Sequence, residues 1–300
     1  DHFLKRCIPR LSRTKIQEVI AEQVVASHGR PLRSNTRVAA GDRFVLTRPA
    51  QAEPPCPRIA PAVYEDDDVL VVDKPAGLPV HASAKFFFNT LTRVLSETYP
   101  GYPEMQICHR LDRETSGCLV VAKTRAAAAP VKQAFEHKRV SKTYLAIVVG
   151  VPAWDQHRVD IPLRVATTRD PTKLPGVRMM ATMDGLPSCT EFVVEERTRG
   201  YALVRCTPIT GRQHQIRAHL AYAGFPIVGD KLYAHGDDAF MRYCDTGMTP
   251  ALRALFLLPR HALHAASVAF PHPHTRATLT VSAPLPSDLR AFLRQSAEAP

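Results

Sequence analysis

No run in the 300-residue chain comes near the ~18 consecutive apolar residues that a membrane-spanning helix needs. No Cys-x-x-Cys pair occurs among Cys7, Cys56, Cys108, Cys118, Cys189, Cys206 and Cys244, and a chain of this length has no need of disulfide staples. A reducing compartment, the cytoplasm, is therefore expected. A secretory leader pattern is missing too, because Lys5, Arg6, Arg10 and Arg13 interrupt every apolar stretch near the start. The chain opens on Asp1 rather than Met, so its true start is expected upstream. There is no internal repeat. Acidic residues are in deficit, 28 Asp and Glu against 39 Lys and Arg, which leaves a net charge of +11. That excess favours a polyanionic partner through counterion release and steering; solubility alone is the competing explanation. With 22% charged and 45% hydrophobic residues, the chain is not disordered and has material for a real core. Its length allows one large domain or two unequal ones.

Pro49, Pro54, Pro55, Pro57 and Pro61 fall in a stretch without periodic apolar residues, which reads as an extended linker over 49–62. A small domain is expected at 1–48 and a large one at 63–300. In the small domain Ser12 can cap a helix carrying Ile16, Val19 and Ile20 at helical spacing, with Arg13 and Lys15 at its start. A strand at 24–26, a turn at His28-Gly29-Arg30 and a strand at 43–46 follow. In the large domain 69–72 and 119–122 read as buried strands, the first ended by a turn over 73–77. Residues 125–139 suggest a helix with Val131, Ala134 and Phe135 on one face, and 144–149 a strand. A hairpin joins 192–194 to 201–205 near Arg199-Gly200, and a helix over 213–223 is stopped by Gly224. Strands and helices mix without strict alternation, which predicts an α+β fold and not a doubly wound parallel sheet.

Three segments concentrate reactive side chains. Residues 107–117, Ile-Cys-His-Arg-Leu-Asp-Arg-Glu-Thr-Ser-Gly, are too polar for a buried strand and read as a loop held between buried elements. Within it Asp112 stands between Arg110 and Arg113, which favour its ionised form if either approaches. Alone, this is a charged loop like many others. On the helix predicted over 213–223, Gln213 and Arg217 share a face, His214 neighbours Arg217, and Ile216 and Leu220 point inward. The plainer account is a solvated helix with an apolar back. Tyr144 enters its strand behind Lys138, Arg139 and Lys142, as a core residue or as one that stacks a nucleobase. His261 with His264, and His272 with His274, raise a metal site, but no cysteine or carboxylate stands at ligand spacing beside them, and no metal is expected. A Cys108-His109 nucleophile is set aside, since adjacent residues on extended chain point to opposite faces.

The strings "VYEDDDVLVVDKPAGLPVH", "HRLDRETSGCLVVAKT", "KTYLAIVVG", "TPITGRQHQIRAHLAYAGFPIVGDKLY", "HALHAASVAFPHPHT" and "APLPSDL" occur in this order. Together they resemble the RluA-type pseudouridine synthase family over residues 63–290. Gln213, Cys118 and Ala218 depart from its commoner residues, and none of these departures removes a reactive group. The resemblance implies an α+β pseudouridine synthase fold with a mixed, largely antiparallel central sheet. It implies isomerisation of uridine to pseudouridine: uracil leaves its ribose, turns and rejoins through carbon, with no cofactor. It makes Asp112 the catalytic carboxylate, either attacking the sugar or removing its C2′ proton, two roles the sequence leaves open. Arg217 would be its basic partner, and Tyr144 would stack on the target base and assist the final deprotonation. Arg110 matches a residue that some relatives insert into the gap left by an everted base. Arg113, Thr115, Arg212, His214 and Lys74 are expected to contact substrate, with phosphate contact and a purely structural role both open for Arg212 and Lys74. "LSRTKIQEVI", "HGRPLRSNTRVAAGD" and "RFVL" resemble an S4-type RNA-binding module, although Gln23 stands where glycine is common. The expected partner is RNA, large-subunit ribosomal RNA before transfer RNA, bound by a monomer with no membrane and no small-molecule cofactor. The rival from another class is a non-catalytic RNA-binding or ribosome-assembly protein on the same scaffold. Residues 237–258 carry no assigned role; contact with RNA and cover for a sheet edge are both open.

Overall fold

A computed structural model of the chain describes every residue except 9, 10, 28, 30, 48–51, 84, 299 and 300. The described chain forms two compact units, Asp1–Ala52 and Glu53–Pro300.

In the small unit the Ser12 hydroxyl accepts the Lys15 N–H (3.2 Å) and starts helix α2 (Arg13–Gln23), which buries Ile16, Val19 and Ile20 as the spacing predicts. A short helix, α1 (His2–Cys7), precedes it and was not legible in the sequence. Strands β1 (Val24–Ala26) and β2 (Phe44–Leu46) pair antiparallel, Val25 opposite Val45. Two residues of the turn expected at His28-Gly29-Arg30, His28 and Arg30, lie outside the described residues, as does Pro49 of the expected linker.

From Glu53 onward the segment read as a linker belongs to the larger unit. Its prolines have no N–H to give, so acceptors fasten it instead. The Glu53 carboxylate takes the backbone N–H groups of Phe87, Phe88 and Asn89, each at 2.8 Å, and the Pro61 carbonyl takes the Asp73 N–H at 2.8 Å.

The larger unit runs β3 (Ala62–Glu65), β4 (Val69–Lys74), α3 (Leu91–Thr98), β5 (Gln106–Ile107), β6 (Ser116–Ala122), α4 (Arg125–Glu136), β7 (Ser141–Val149), β8 (Gln156–Asp160), β9 (Leu163–Val165) and β10 (Met179–Ala181). It continues with β11 (Cys189–Thr198), β12 (Tyr201–Pro208), α5 (Gln215–Tyr222), α6 (Gly236–Thr246), α7 (Pro250–Phe256), β13 (Leu263–Pro271), β14 (Thr278–Ser282) and α8 (Ser287–Glu298). One ten-stranded sheet has the order β3-β4-β6-β13-β7-β12-β11-β8, with β5 on β6 and β14 on β13. Among the described residues only β6 and β13 pair in parallel, so the sheet is mixed and largely antiparallel and the class is α+β, as expected.

Strands β4 and β6 are central, and their apolar runs are buried on both faces. Alternate residues serve opposite sides: Val69, Val71 and Val120 pack with Val131 of α4, while Leu70, Val72 and Leu119 pack with Leu91 and Leu95 of α3. β4 does not turn at Asp73 as expected; it runs to Lys74, opposite Gly117. Gly117 (φ +111°) is where β6 meets β13, and a Cβ there would stand 2.2 Å from the Ala265 carbonyl oxygen. Glycine alone permits that approach, and it ends the charged loop 108–115 at a fixed point. Helix α5 begins at Gln215, so Gln213 precedes it and does not share its face with Arg217. The segment 237–258 forms most of α6 and α7, which bury Ala239, Leu252 and Phe256 against one another. Among the described residues no helix is long and apolar enough to cross a membrane.

Candidate active site

The loop 108–115 is held down residue by residue. Cys108 and Leu111 are buried. His109 accepts the Val120 N–H on Nε2 (3.0 Å) and stacks on Phe135 with ring centroids 4.6 Å apart. Its imidazole is spent on structure, and burial pushes its pKa down to about 3. The Arg113 carbonyl accepts from Gly77 N–H (2.8 Å) and from the Lys74 ammonium (3.1 Å). Lys74 is fully buried, and its amine also donates to the carbonyls of Pro75 (2.7 Å) and Leu78 (2.9 Å). Burial lowers its pKa to about 7 against the pull of Asp112. The expected phosphate contact at Lys74 is thus corrected: its three donors are committed inside the protein. Thr115 is buried as well, its hydroxyl 2.8 Å from His261 Nε2.

This anchoring presents Asp112 to helix α5. Arg217 Nη1 donates to Asp112 Oδ2 at 2.9 Å. The same guanidinium donates Nε and Nη2 to the two oxygens of Asp230, at 2.7 and 2.9 Å. Asp230 is fully buried and also takes the N–H groups of Leu232 and Tyr233 (3.0 and 3.1 Å). It follows Gly229 (φ +76°), where a Cβ would lie 2.1 Å from the Arg260 carbonyl oxygen. Burial alone would raise the pKa of both carboxyls; for Asp112 the influence of His214, then of Arg217 and His261, outweighs it, for Asp230 the charge and hydrogen bonds of Arg217 do, and both stay below the usual range. Residues 215–220 of α5 are all buried, so the solvated-helix account is replaced by a helix enclosed all round.

His214 introduces α5 in the left-handed conformation (φ 51°). Its Nδ1 lies 3.2 Å from the Tyr233 hydroxyl, and its Nε2 lies 3.8 Å from Asp112 Oδ2. The Tyr233 oxygen also accepts the Met179 N–H (3.0 Å), which fixes the hydroxyl beside His214. Burial lowers the pKa of His214 to about 4, so at neutral pH Arg217 is the cation that holds Asp112 ionised.

Asp112, Tyr144 and Arg217 line one cleft of about 540 Å³, together with Arg110, Thr115, Arg212 and His214. Tyr144 enters it from β7, half-buried, and its hydroxyl makes no hydrogen bond among the described residues. Burial, then the charge of Asp112, raise its pKa and keep it a neutral phenol. Arg110 and Arg212 are exposed at the rim. Arg113 is exposed but faces a second trough, of about 410 Å³, that shares Arg110, Asp112, His214 and Arg217 with the first. The metal alternative finds no support: among the described residues no group of three or more potential ligands is assembled. The paired histidines are engaged elsewhere, His264 with Ser116 (3.0 Å) and His272 with Asp66 (2.9 Å).

Sequence reasoning missed Asp230, Lys231, Glu114 and His261. Lys231 donates to both oxygens of Glu114 (2.9 and 2.8 Å), and the His261 N–H reaches Glu114 at 3.2 Å, tying the Asp112 loop to 229–231 and 259–261. A signal existed for Asp230: a carboxylate one glycine beyond the apolar pair Ile227-Val228 needs a buried cation.

A carboxylate held by a buried guanidinium shares a cleft with a tyrosine and exposed arginines, an arrangement suited to an anionic ligand. The chain belongs to the RNA pseudouridylate synthase family, whose model matches residues 68–222. It is 34% identical to the ribosomal large subunit pseudouridine synthase C of Escherichia coli (strain K12), over 98% of this chain and 92% of that protein. It is 33% identical to the uncharacterized RNA pseudouridine synthase YlyB of Bacillus subtilis (strain 168), over the same shares. Among solved structures it is similar to human RNA Pseudouridylate Synthase Domain Containing 4, with a TM-score of 0.61, 29% identity and coverage of 78% of this chain and 92% of that one. The chain is an RNA pseudouridine synthase, and its α+β sheet is the fold of that family.

The buried charges and histidines set two expectations for stability. Asp230→Ala removes two of the three carboxylate bonds to the buried Arg217 guanidinium and is expected to cost about 3 kcal/mol in a urea melt. Asp155→Ala, which removes an exposed partner of Arg197, should leave the melt unchanged; equal effects would refute the distinction. His214 and His261, both lowered to about 4 by burial, are neutral in the folded state and protonated in the unfolded chain below about pH 6.5. Their contribution is complete above pH 6.5 and is lost as pH falls toward 4, each by up to about 1.4 kcal/mol per pH unit. Melts at pH 7 and pH 5 should differ accordingly, and a flat profile over that window would count against the neutral histidines.

Proposed function

We propose that Asp112 is the catalytic carboxylate, Arg217 its charge partner and Tyr144 the residue that covers the target base, with large-subunit ribosomal RNA as the substrate. The observation that carries the reading is the 2.9 Å bond from Arg217 to Asp112 at a cleft that Tyr144 also lines. The reaction breaks C1′–N1, forms C1′–C5, releases the C5 proton and leaves a proton on N1. It neither gains nor loses electrons, so the chemistry asks for no cofactor. Asp112 acts at the ribose, by attack or by removal of the C2′ proton, and either role needs the ionised form that Arg217 maintains. Tyr144 holds its proton while Asp112 is anionic. Burial, and not Asp112 alone, keeps the phenol protonated, so Tyr144 acts as a neutral ring that covers the base.

Arg110, exposed and without a hydrogen-bond partner among the described residues, has the reach and planarity to fill the stack that the uridine leaves. His214 places a neutral imidazole beside Asp112, and Arg212 and Arg113 supply phosphate contacts. Thr115 acts through its bond to His261, and not on substrate directly. The similarity to an enzyme named for the large ribosomal subunit supports ribosomal RNA over transfer RNA as the target. The unit Asp1–Ala52 is read as an S4-like module: Arg33, Arg37 and Arg43 are exposed on it, and its helix and strand pair follow the order of the S4 resemblance. A monomer in the cytoplasm is the working assignment. The rival binding-only protein has no use for an ionised aspartate held by a buried arginine.

Asp112→Asn should lower tritium release from [5-³H]uridine-labelled ribosomal RNA by at least ~10²-fold while RNA affinity holds; appreciable turnover by that variant removes Asp112 from its role. Deleting residues 1–52 should weaken RNA binding and flatten the plot of log K against log salt by about 0.7 for each phosphate that the small unit neutralises in the intact protein. An unchanged slope would mean that the small unit does not touch phosphate.

A further inference from the structure

Beside the catalytic cleft the sequence runs Phe86-Phe87-Phe88, and the fold treats the three rings differently. Phe86 is buried, with the Arg113 guanidinium 5.5 Å from its ring centroid. Phe87 and Phe88 leave 64% and 66% of their surface in solvent. Their exposure does not come from a slack loop. The Glu53 carboxylate binds the N–H groups of Phe87, Phe88 and Asn89, and Arg58 binds the Phe88 carbonyl (3.2 Å) and Asn89 Oδ1 (2.9 Å). Asn89 Nδ2 returns to the Pro54 carbonyl (3.0 Å), and the Thr90 hydroxyl caps α3 through the Arg93 N–H. Two adjacent apolar rings are thus fixed outward at the cost of their hydration, which marks a contact surface.

The surroundings select the occupant. The second trough runs from Asp112 and Arg217 to residues 79–83, a few residues from the two rings. Arg110 and Arg113 are exposed along it, Lys85 is exposed two residues before Phe87, and the chain carries a net charge of +11. A cationic rim beside bare aromatic rings suits a polyanion that also offers flat π faces. It repels a second copy of a chain with the same charge.

We propose that Phe87 and Phe88 form a stacking platform for unpaired bases of the substrate RNA adjoining the everted uridine. The inference rests on the reading of Asp112 and its cleft as the uridine site. Stacking on an aromatic face is indifferent to base identity, so the platform contributes affinity and strand placement and no sequence readout. Loss of one stacked base lowers affinity by about 5- to 150-fold.

The experiment uses the full chain and an unmodified in vitro transcript of bacterial large-subunit ribosomal RNA labelled with [5-³H]uridine. The double substitution Phe87→Ala with Phe88→Ala should raise Kd at least fivefold and raise KM with kcat unchanged, while the salt slope stays that of the wild type. Phe87→Trp with Phe88→Trp should restore affinity, whereas the corresponding Leu pair should not. Unchanged affinity in the Ala pair, or rescue by Leu equal to that by Trp, overturns the platform. A lower melting temperature or an altered sedimentation coefficient with unchanged affinity also overturns it, since the rings then meet protein. Tritium release by the wild type separates the two levels: its absence sinks the substrate reading, while release with an unaffected Phe variant sinks the platform alone.

Discussion

The guanidinium of Arg217 is divided between two carboxylates. Nε and Nη2 are locked on Asp230, which leaves Nη1 aimed at Asp112. Arginine suits this division because its donors sit in a rigid plane; a lysine ammonium could neutralise one carboxylate but would not point a remaining proton at the other. Asp230 makes the charge of Arg217 tolerable inside the protein, where an unpaired cation would cost several kcal/mol. The cleft thereby gains an aspartate that stays ionised although little of it touches water.

That arrangement depends on two chain segments far apart in sequence keeping their distance to a fraction of an ångström, and neither is regular secondary structure. Buried charges do the holding. Lys74 pins the Arg113 carbonyl from below, Glu114 and Lys231 join the loop to the segment carrying Asp230, and the Thr115 hydroxyl meets His261. Gly117 lets β6 and β13 close behind the loop, and Gly229 lets the Asp230 segment lie against the Arg260 backbone. Such pre-placement removes the entropic part of the barrier that a mobile catalytic loop would otherwise impose.

Much of this was open to a reader of the sequence, and the remainder was hidden for physical reasons. The strands at 69–72 and 119–122 announced themselves through unbroken apolar runs, and the hairpin through Arg199-Gly200. Asp112, Arg217 and Tyr144 emerged from motif order. Lys74 was misread because Asp73-Lys74-Pro75-Ala76-Gly77 has turn composition, whereas pairing of Lys74 with Gly117 extends the strand and draws the amine inward. The helix at 215–222 was placed two residues early because His214, in a left-handed conformation, starts it without a side-chain cap. Asp230 and His261 escaped because their meaning lies in partners 13 and 146 residues away, which spacing along a chain does not encode.

Two populations of charge serve different tasks. The excess of Lys and Arg is mostly exposed, Arg110, Arg113 and Arg212 among it, and lies within reach of counterions. The charges at Asp112, Arg217 and Asp230 are enclosed, and salt at ordinary concentration hardly screens a pair at 2.9 Å out of water. Ionic strength therefore acts on the capture of RNA and not on the ionisation of Asp112. The buried histidines reinforce the separation: neutral above about pH 4, His214 and His261 are hydrogen-bonded to Tyr233 and Thr115 and leave Arg217 as the cation on Asp112. A cleft can then be strongly attractive to phosphate outside while the field at its floor is set by one fixed guanidinium.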